Sequence, residues 1–213
     1  IAGRDSRDAV FEAIGEISPR RVLEVGCGWG DLAVRLVREL EAEVVAVDLS
    51  PPRMVELARA QGVDARVADV QSLPFDSGAF DCVTASWMLY HVADLDLGLS
   101  ELARVLRRGG RLVATTNGLT HLSELWDLVG RDRSTEPAGF FTETAESCLA
   151  RHFTRVERRE LENVLAFPDA AAVRGYVASS VAHKHFAERV PELDGAFVAT
   201  RRSSVFVAEK AGA

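Results

Sequence analysis

Along the first 117 positions, short continuous apolar runs alternate with longer stretches whose apolar residues recur at helical spacing. Ala9, Val10, Ala13, Ile14 and Ile17 share one face of a first helix, stopped by Ser18-Pro19, and Arg21 to Val25 reads as a buried strand. Glycines then alternate at Gly26, Gly28 and Gly30 before Leu32, Ala33, Leu36, Val37 and Leu40 mark a second helix. Glu43 to Val47 is a second strand ending in Asp48. Ser50 reads as the cap and Pro51 as the first position of a helix to about Gln61, with Gly62 as its stop. A third strand, Ala65 to Ala68, runs into Asp69-Val70, and a fourth spans Phe80 to Ala85, with Asp81 near its start read as a turn residue. Leu99, Leu102, Ala103 and Leu106 place a helix closed by Gly109-Gly110, and Arg111 to Thr116 is a fifth strand.

Beyond this point the pattern is less regular. It predicts a helix from about Leu119 to Val129, a polar loop from Gly130 to Gly139, a helix near Thr144 to His152 and an extended stretch from Val156 to Phe167. Asp169 caps a helix through about Ser179, and Ser203 to Glu209 is a last strand with no crossover helix after it, which suits an antiparallel edge or insertion. Alternating strands and helices at short spacing predict an α/β, doubly wound, mostly parallel sheet with helices on both faces.

In such a sheet ligands sit outside the carboxyl ends of the strands. The glycine turn brings bare backbone N–H groups and a helix N-terminus to that edge. A dinucleotide fingerprint would carry glycine at its sixth position, yet that position is Asp31, and Glu24 lies two residues before the first glycine. Two acids there favour a cationic head over a pyrophosphate. Asp48 can accept hydrogen bonds from the two hydroxyls of a ribose, and Asp69 from an exocyclic amine. The Val70 N–H can donate to a ring nitrogen of the same adenine. Glu24 and the carbonyls near Ser86 are placed for an ammonium group.

Composition narrows the setting. The 213 residues suffice for one domain, and a net charge of -7 argues against nucleic acid as a partner. No apolar run reaches the roughly 20 residues of a membrane span, and no signal peptide is visible, so a cytoplasmic protein is expected. Cys27, Cys82 and Cys148 form no Cys-x-x-Cys pair, and His183 and His185 lack a third ligand, so neither a disulfide framework nor a metal site is expected. The chain opens on Ile1 rather than methionine, so a further N-terminal segment is expected.

Val22 to Asp31, Asp48, Asp69-Val70, the segment from Phe80-Asp81 to His91-Val92, and Arg107-Arg108-Gly109-Gly110 together resemble the small class I S-adenosylmethionine-dependent methyltransferases, over roughly residues 20 to 117. That resemblance implies seven strands, the last inserted antiparallel between the fifth and sixth. It also implies S-adenosylmethionine as cofactor and S-adenosylhomocysteine as product. Glu24, Gly26, Cys27, Gly28 and Gly30 would line the methionine end, Asp48 with Leu49 the ribose, and Asp69 with Val70 the adenine, while Ser86 and Trp87 would lie by the sulfonium. Residues 1–117 would form the cofactor half, 118–202 the acceptor and lid region, and 203–209 the final strand.

Methyl transfer from a sulfonium rests mainly on positioning, and a base is required only for a weakly acidic acceptor. His91 is the first candidate for that base and His121 the second. The loop Glu136 to Phe141, with two aromatics, would suit a lid. The acceptor is expected to be a small molecule, and no motif specifies whether oxygen, nitrogen or carbon receives the methyl. Two other classes stay open: a non-catalytic S-adenosylmethionine-binding partner protein and an NAD-dependent oxidoreductase using Gly26 and Asp48.

Overall fold

The computed structural model describes residues 5–49, 52–131, 139–180 and 183–212. Its first half alternates strand and helix: α1 (Ser6–Gly15), β1 (Arg21–Val25), α2 (Asp31–Glu39), β2 (Glu43–Asp48), α3 (Pro52–Ala60), β3 (Asp64–Val67), β4 (Phe80–Ser86) and α4 (Leu95–Val105). The second half adds β5 (Leu106–Asn117), α5 (Ser123–Leu128), α6 (Thr142–Leu149), β6 (Arg155–Phe167), α7 (Ala170–Ser179) and β7 (Phe197–Glu209). The strands form one seven-stranded sheet in the order β3-β2-β1-β4-β5-β7-β6. β7 is antiparallel to both β5 and β6, as the resemblance implied.

The two-residue period of the strands divides the core. In β1, Val22 packs with α1, α2 and α3 on one face, while Leu23 and Val25 pack with α4 and α6 on the other. A third cluster, from Leu122 and Leu125 through Phe167, Val173 and Ala199, joins α5 and α7 to the far ends of β6 and β7.

Several sequence expectations are corrected. Gly109-Gly110 does not close a helix: α4 ends at Val105, and β5 starts at Leu106. The β4–β5 register then jumps from Phe80↔Leu106 to Cys82↔Arg111, so Arg107–Gly110 bulges out of the ladder. Asp81 is no turn residue but a brace between strands: its Oδ2 accepts from the N–H groups of Arg20 (2.9 Å) and Arg21 (3.0 Å), and its Oδ1 from Arg107 Nε (2.5 Å). The expected helix from Leu119 begins only at Ser123, because Leu122 is left-handed (φ 53°) and its N–H is bonded to the Thr200 carbonyl. β7 starts at Phe197 rather than Ser203, pairing with β6 along its whole length. The Ser50 cap, Pro51 and Glu136 to Ala138 lie outside the described residues. Of the supposed lid aromatics, Phe140 is fully buried against Phe206, with its carbonyl accepting from Thr116 Oγ1 (2.5 Å).

Candidate functional site

Strand order reverses between β1 and β4, and there the carboxyl ends of the parallel strands leave a crevice. The N–H groups of Gly26 and Cys27 both donate to the Val47 carbonyl (2.8 and 3.1 Å), folding the glycine turn over the end of β2. The Gly28 N–H donates to Asp48 Oδ2 (2.7 Å). Gly26 and Gly30 are required sterically. Both have positive φ (73° and 85°), and a Cβ would come within 2.7 Å of Met88 at the first and 2.8 Å of Ala58 at the second. Gly28 shares the positive φ (52°), but a Cβ there would meet nothing within 4 Å.

Glu24 is 4% exposed, and its Oε2 has no hydrogen-bond partner. Burial pushes its carboxyl up to about 8, and the nearby Asp48 and Asp31 charges add to this, while the Ala33 N–H in the first turn of α2 opposes it. A carboxylate so placed is complementary to a cation. Burial likewise pushes the Cys27 thiol up to about 12, aided by Glu24 and Asp48. Its side chain belongs to the core beside α1 and α2.

Three cavities adjoin along this edge. The first, about 640 Å³, is walled by Asp48, Leu49, Asp69, Val70, Ser86 and His91 among others. The second, about 450 Å³, takes in Glu24, Cys27, Gly28, Trp29 and Asp31, and it shares Gly26, Ser86 and Trp87 with the first. The third, about 380 Å³, includes Asn117, His121, Tyr176 and Arg201, and it shares Asp5, Arg7 and Trp87 with the second. Trp87 thus borders all three. It is held in the left-handed region (φ 52°), with its N–H donating to the Thr115 carbonyl (2.9 Å) and its indole Nε1 to Asn117 Oδ1 (3.1 Å). Ser86 Oγ, at the junction, is buried and without a partner.

The crevice therefore brings together every cofactor residue the sequence singled out except Gly30, which caps α2 behind it. The two histidines part company. His91, in a short 3-10 turn (Leu89–His91), stands in the first cavity with Asp69 and Val70. His121 stands in the third, where burial lowers its affinity for a proton and the Arg201 and Arg202 charges add to this, against the Arg202 carbonyl 2.9 Å from Nδ1. Sequence reasoning missed Gln71, whose amide nitrogen reaches both Asp69 oxygens (3.3 and 3.2 Å) while its oxygen accepts from the Asp94 N–H (2.8 Å). Asp5, Arg7, Asn117 and Tyr176 were missed as well, since no local motif announces them, and the Arg201-Arg202 run, which reads as a solvated helix or turn end, lies instead within β7, with Arg201 at the third cavity. Among the described residues no three His, Cys, Asp or Glu side chains stand close enough to hold a metal ion, and no helix is long and apolar enough to cross a membrane.

Residues 23–114 match the family model described as a methyltransferase domain. The chain is 33% identical over 189 residues to a malonyl-[acyl-carrier protein] O-methyltransferase of Pseudescherichia vulneris, covering 85% of this chain and 73% of that protein. The chain belongs to the class I S-adenosylmethionine-dependent methyltransferases. It is also 46% identical over 105 residues to a demethylmenaquinone methyltransferase of Thermus thermophilus, covering 46% of this chain and 47% of that protein. The chain spans about half the length of most curated relatives it matches. The crystal structure of the YcgJ protein from Bacillus subtilis shares the fold at a TM-score of 0.67 and 18% identity, covering 97% of this chain and 99% of that one.

In this methyltransferase family the cofactor joins an amino acid, a sulfonium and an adenosine. The residues present suit such a group: a buried carboxyl with one unpartnered oxygen and a glycine with open space above it in one cavity, and two further aspartates in the next.

Proposed function

We propose that this chain transfers a methyl group from S-adenosylmethionine to a small-molecule acceptor, in the cytoplasm and without nucleic acid as a partner. The observation that carries this reading is the meeting of three cavities at Trp87, with the unpartnered Glu24 oxygen in the middle one. Glu24 and the glycine turn hold the amino-acid end of the cofactor. Asp48 holds the ribose, with the exposed Leu49 closing over it, and Asp69 with the Val70 N–H reads the adenine. Gln71 steadies Asp69 by bonding both of its oxygens. Asp31 in the second cavity and the missing sixth-position glycine give a dinucleotide no support.

When bound, the cofactor supplies a methyl group already activated by its sulfonium charge. What the protein adds is alignment: Trp87 forms the wall between cofactor and acceptor, Ser86 stands beside it on the cofactor side, and the third cavity delivers the acceptor to that wall. If the acceptor must lose a proton, His121 is better supported than His91 as its receiver. It lines the acceptor cavity, and burial lowers its affinity for a proton. Its Nδ1 lies against the Arg202 backbone, 2.9 Å from the carbonyl and 3.2 Å from the N–H, which holds the ring in place at the cavity wall. His91 stands with the adenosine-side residues instead.

The test pairs calorimetric binding of S-adenosylhomocysteine with a methyl-transfer assay on a metabolite panel. We expect cofactor binding together with turnover on at least one acceptor. His121→Ala should lower kcat with unchanged cofactor affinity, and His91→Ala should weaken cofactor binding. Cofactor binding without turnover on any acceptor would count against catalysis.

A further inference from the structure

The third cavity differs from its neighbours in the sign of its charge. The wall of the first contains Asp48 and Asp69 and no lysine or arginine. That of the second sets Asp5, Asp8, Glu24 and Asp31 against Arg7 and Arg35, and Arg35 is already engaged by Asp8 (2.6 Å) and Glu39 (3.1 Å). In the third the balance reverses: Arg7 and Arg201 face a single carboxylate, Asp5. Among the described residues neither guanidinium forms an ion pair, whereas the adjacent Arg202 is paired with Glu124 (3.6 Å) and Glu162 (3.4 Å).

The other contacts of these groups sharpen the contrast. Asp5 Oδ1 is occupied in accepting the Arg7 backbone N–H (2.8 Å) as the cap of α1. The Arg201 guanidinium carbon lies 5.9 Å from the centre of the Tyr176 ring, at the outer reach of a cation–π contact, which leaves its N–H donors for a ligand. Asn117 and His121 add neutral hydrogen-bonding groups to the same wall. In a chain of net charge -7, two uncommitted arginines at a cavity adjoining the methyl-transfer junction are a local reversal with a chemical meaning.

We infer that this cavity recognises a small acceptor bearing a single carboxylate, gripped by Arg201 and Arg7 and packed against the rings of Tyr176 and Trp87. The inference rests on the proposed methyl transfer for its orientation toward the cofactor. Asp5 offsets one of the two cations, so the wall matches a monoanion better than a phosphate dianion. The carboxylate serves here as a recognition handle, and the reading does not require it to receive the methyl.

Benzoate and its neutral isostere benzamide are suitable probes, since both offer a ring to Tyr176 and Trp87 and only one carries charge. Protein saturated with S-adenosylhomocysteine is titrated with each by calorimetry, at low and high salt, and the titrations are repeated on the ligand-free protein. Benzoate should bind roughly tenfold or more tightly than benzamide, with the advantage shrinking in high salt. Arg201→Gln should bring the two within about twofold while leaving S-adenosylhomocysteine affinity intact, and Arg201→Lys should restore part of the preference. Equal binding of the two probes, no binding of either, or a benzoate preference that survives Arg201→Gln would overturn the inference. Failure of S-adenosylhomocysteine to bind would instead strike the methyl-transfer reading, and the ligand-free titrations would still report the charge preference.

Discussion

Two carboxylates on adjacent central strands, Glu24 near the end of β1 and Asp81 near the start of β4, stand at opposite edges of the sheet and have opposite fates. Burial acts to raise the Asp81 carboxyl, but the Arg107 guanidinium and the Arg20 and Arg21 N–H groups outweigh it and hold it below the usual carboxylate range. Glu24 is more deeply buried, has no cation beside it and is pushed up to about 8. The partnered acid ties the amino edge of the sheet together. Glu24, with one oxygen left without a partner, costs stability at the carboxyl edge unless something charged arrives. Bracing and binding are thus distinguished by which acid has its hydrogen-bond donors already in place.

The largest effect expected from breaking this contrast is at Glu24. Glu24→Gln should weaken S-adenosylhomocysteine binding by about 3 kcal/mol, since it removes one partner of a buried charge pair. It should not destabilise the free protein at pH 8. Between the ordinary carboxylate value near 4.5 and about 8, the folded wild type keeps a proton that the unfolded chain has lost. Wild-type stability therefore falls as pH rises through that window, and the variant should lose this slope in thermal melts. Asp48→Ala comes next, with a loss on the order of 2 kcal/mol in cofactor affinity from its charge-assisted bonds, read by the same calorimetry. Because Asp48 also holds the Gly28 N–H, Asp48→Asn separates charge from loop anchoring. Asp81→Ala is the converse and the smallest: about 1.5 kcal/mol of folding stability in urea titrations, with cofactor affinity unchanged. A drop in affinity there would erase the distinction between the two edges.

The alternating first half of the fold was legible because its signals are local. Strand runs, glycines and strand-end acids recur along the βα units, so Glu24, Asp48 and Asp69 could be set at the carboxyl edge of the sheet from spacing alone. Asp81 was misread because its donors come from Arg20, Arg21 and Arg107, which no local pattern connects to it. The third cavity was illegible for the same reason: its wall joins the start of α1, the end of β5, α7 and β7. Ser6 and Ser203 in that wall, with hydroxyl oxygens 3.5 Å apart, are 197 positions apart in the chain. Phe140 resembled a lid aromatic because its position between polar stretches hid a long-range contact with Phe206. The final strand was underestimated because the polar run Thr200 to Ser203 breaks its apolar pattern, although pairing continues through those residues.

The central claim is that Glu24 awaits an ammonium group, and proton release on ligand binding tests it most directly. S-adenosylhomocysteine is titrated calorimetrically at pH 7 in buffers of differing ionisation enthalpy. The wild type should release close to one proton per ligand bound, because Glu24 must ionise to meet the cation, and Glu24→Gln should release almost none. Equal proton release by the two proteins, or none by the wild type, would contradict the assignment.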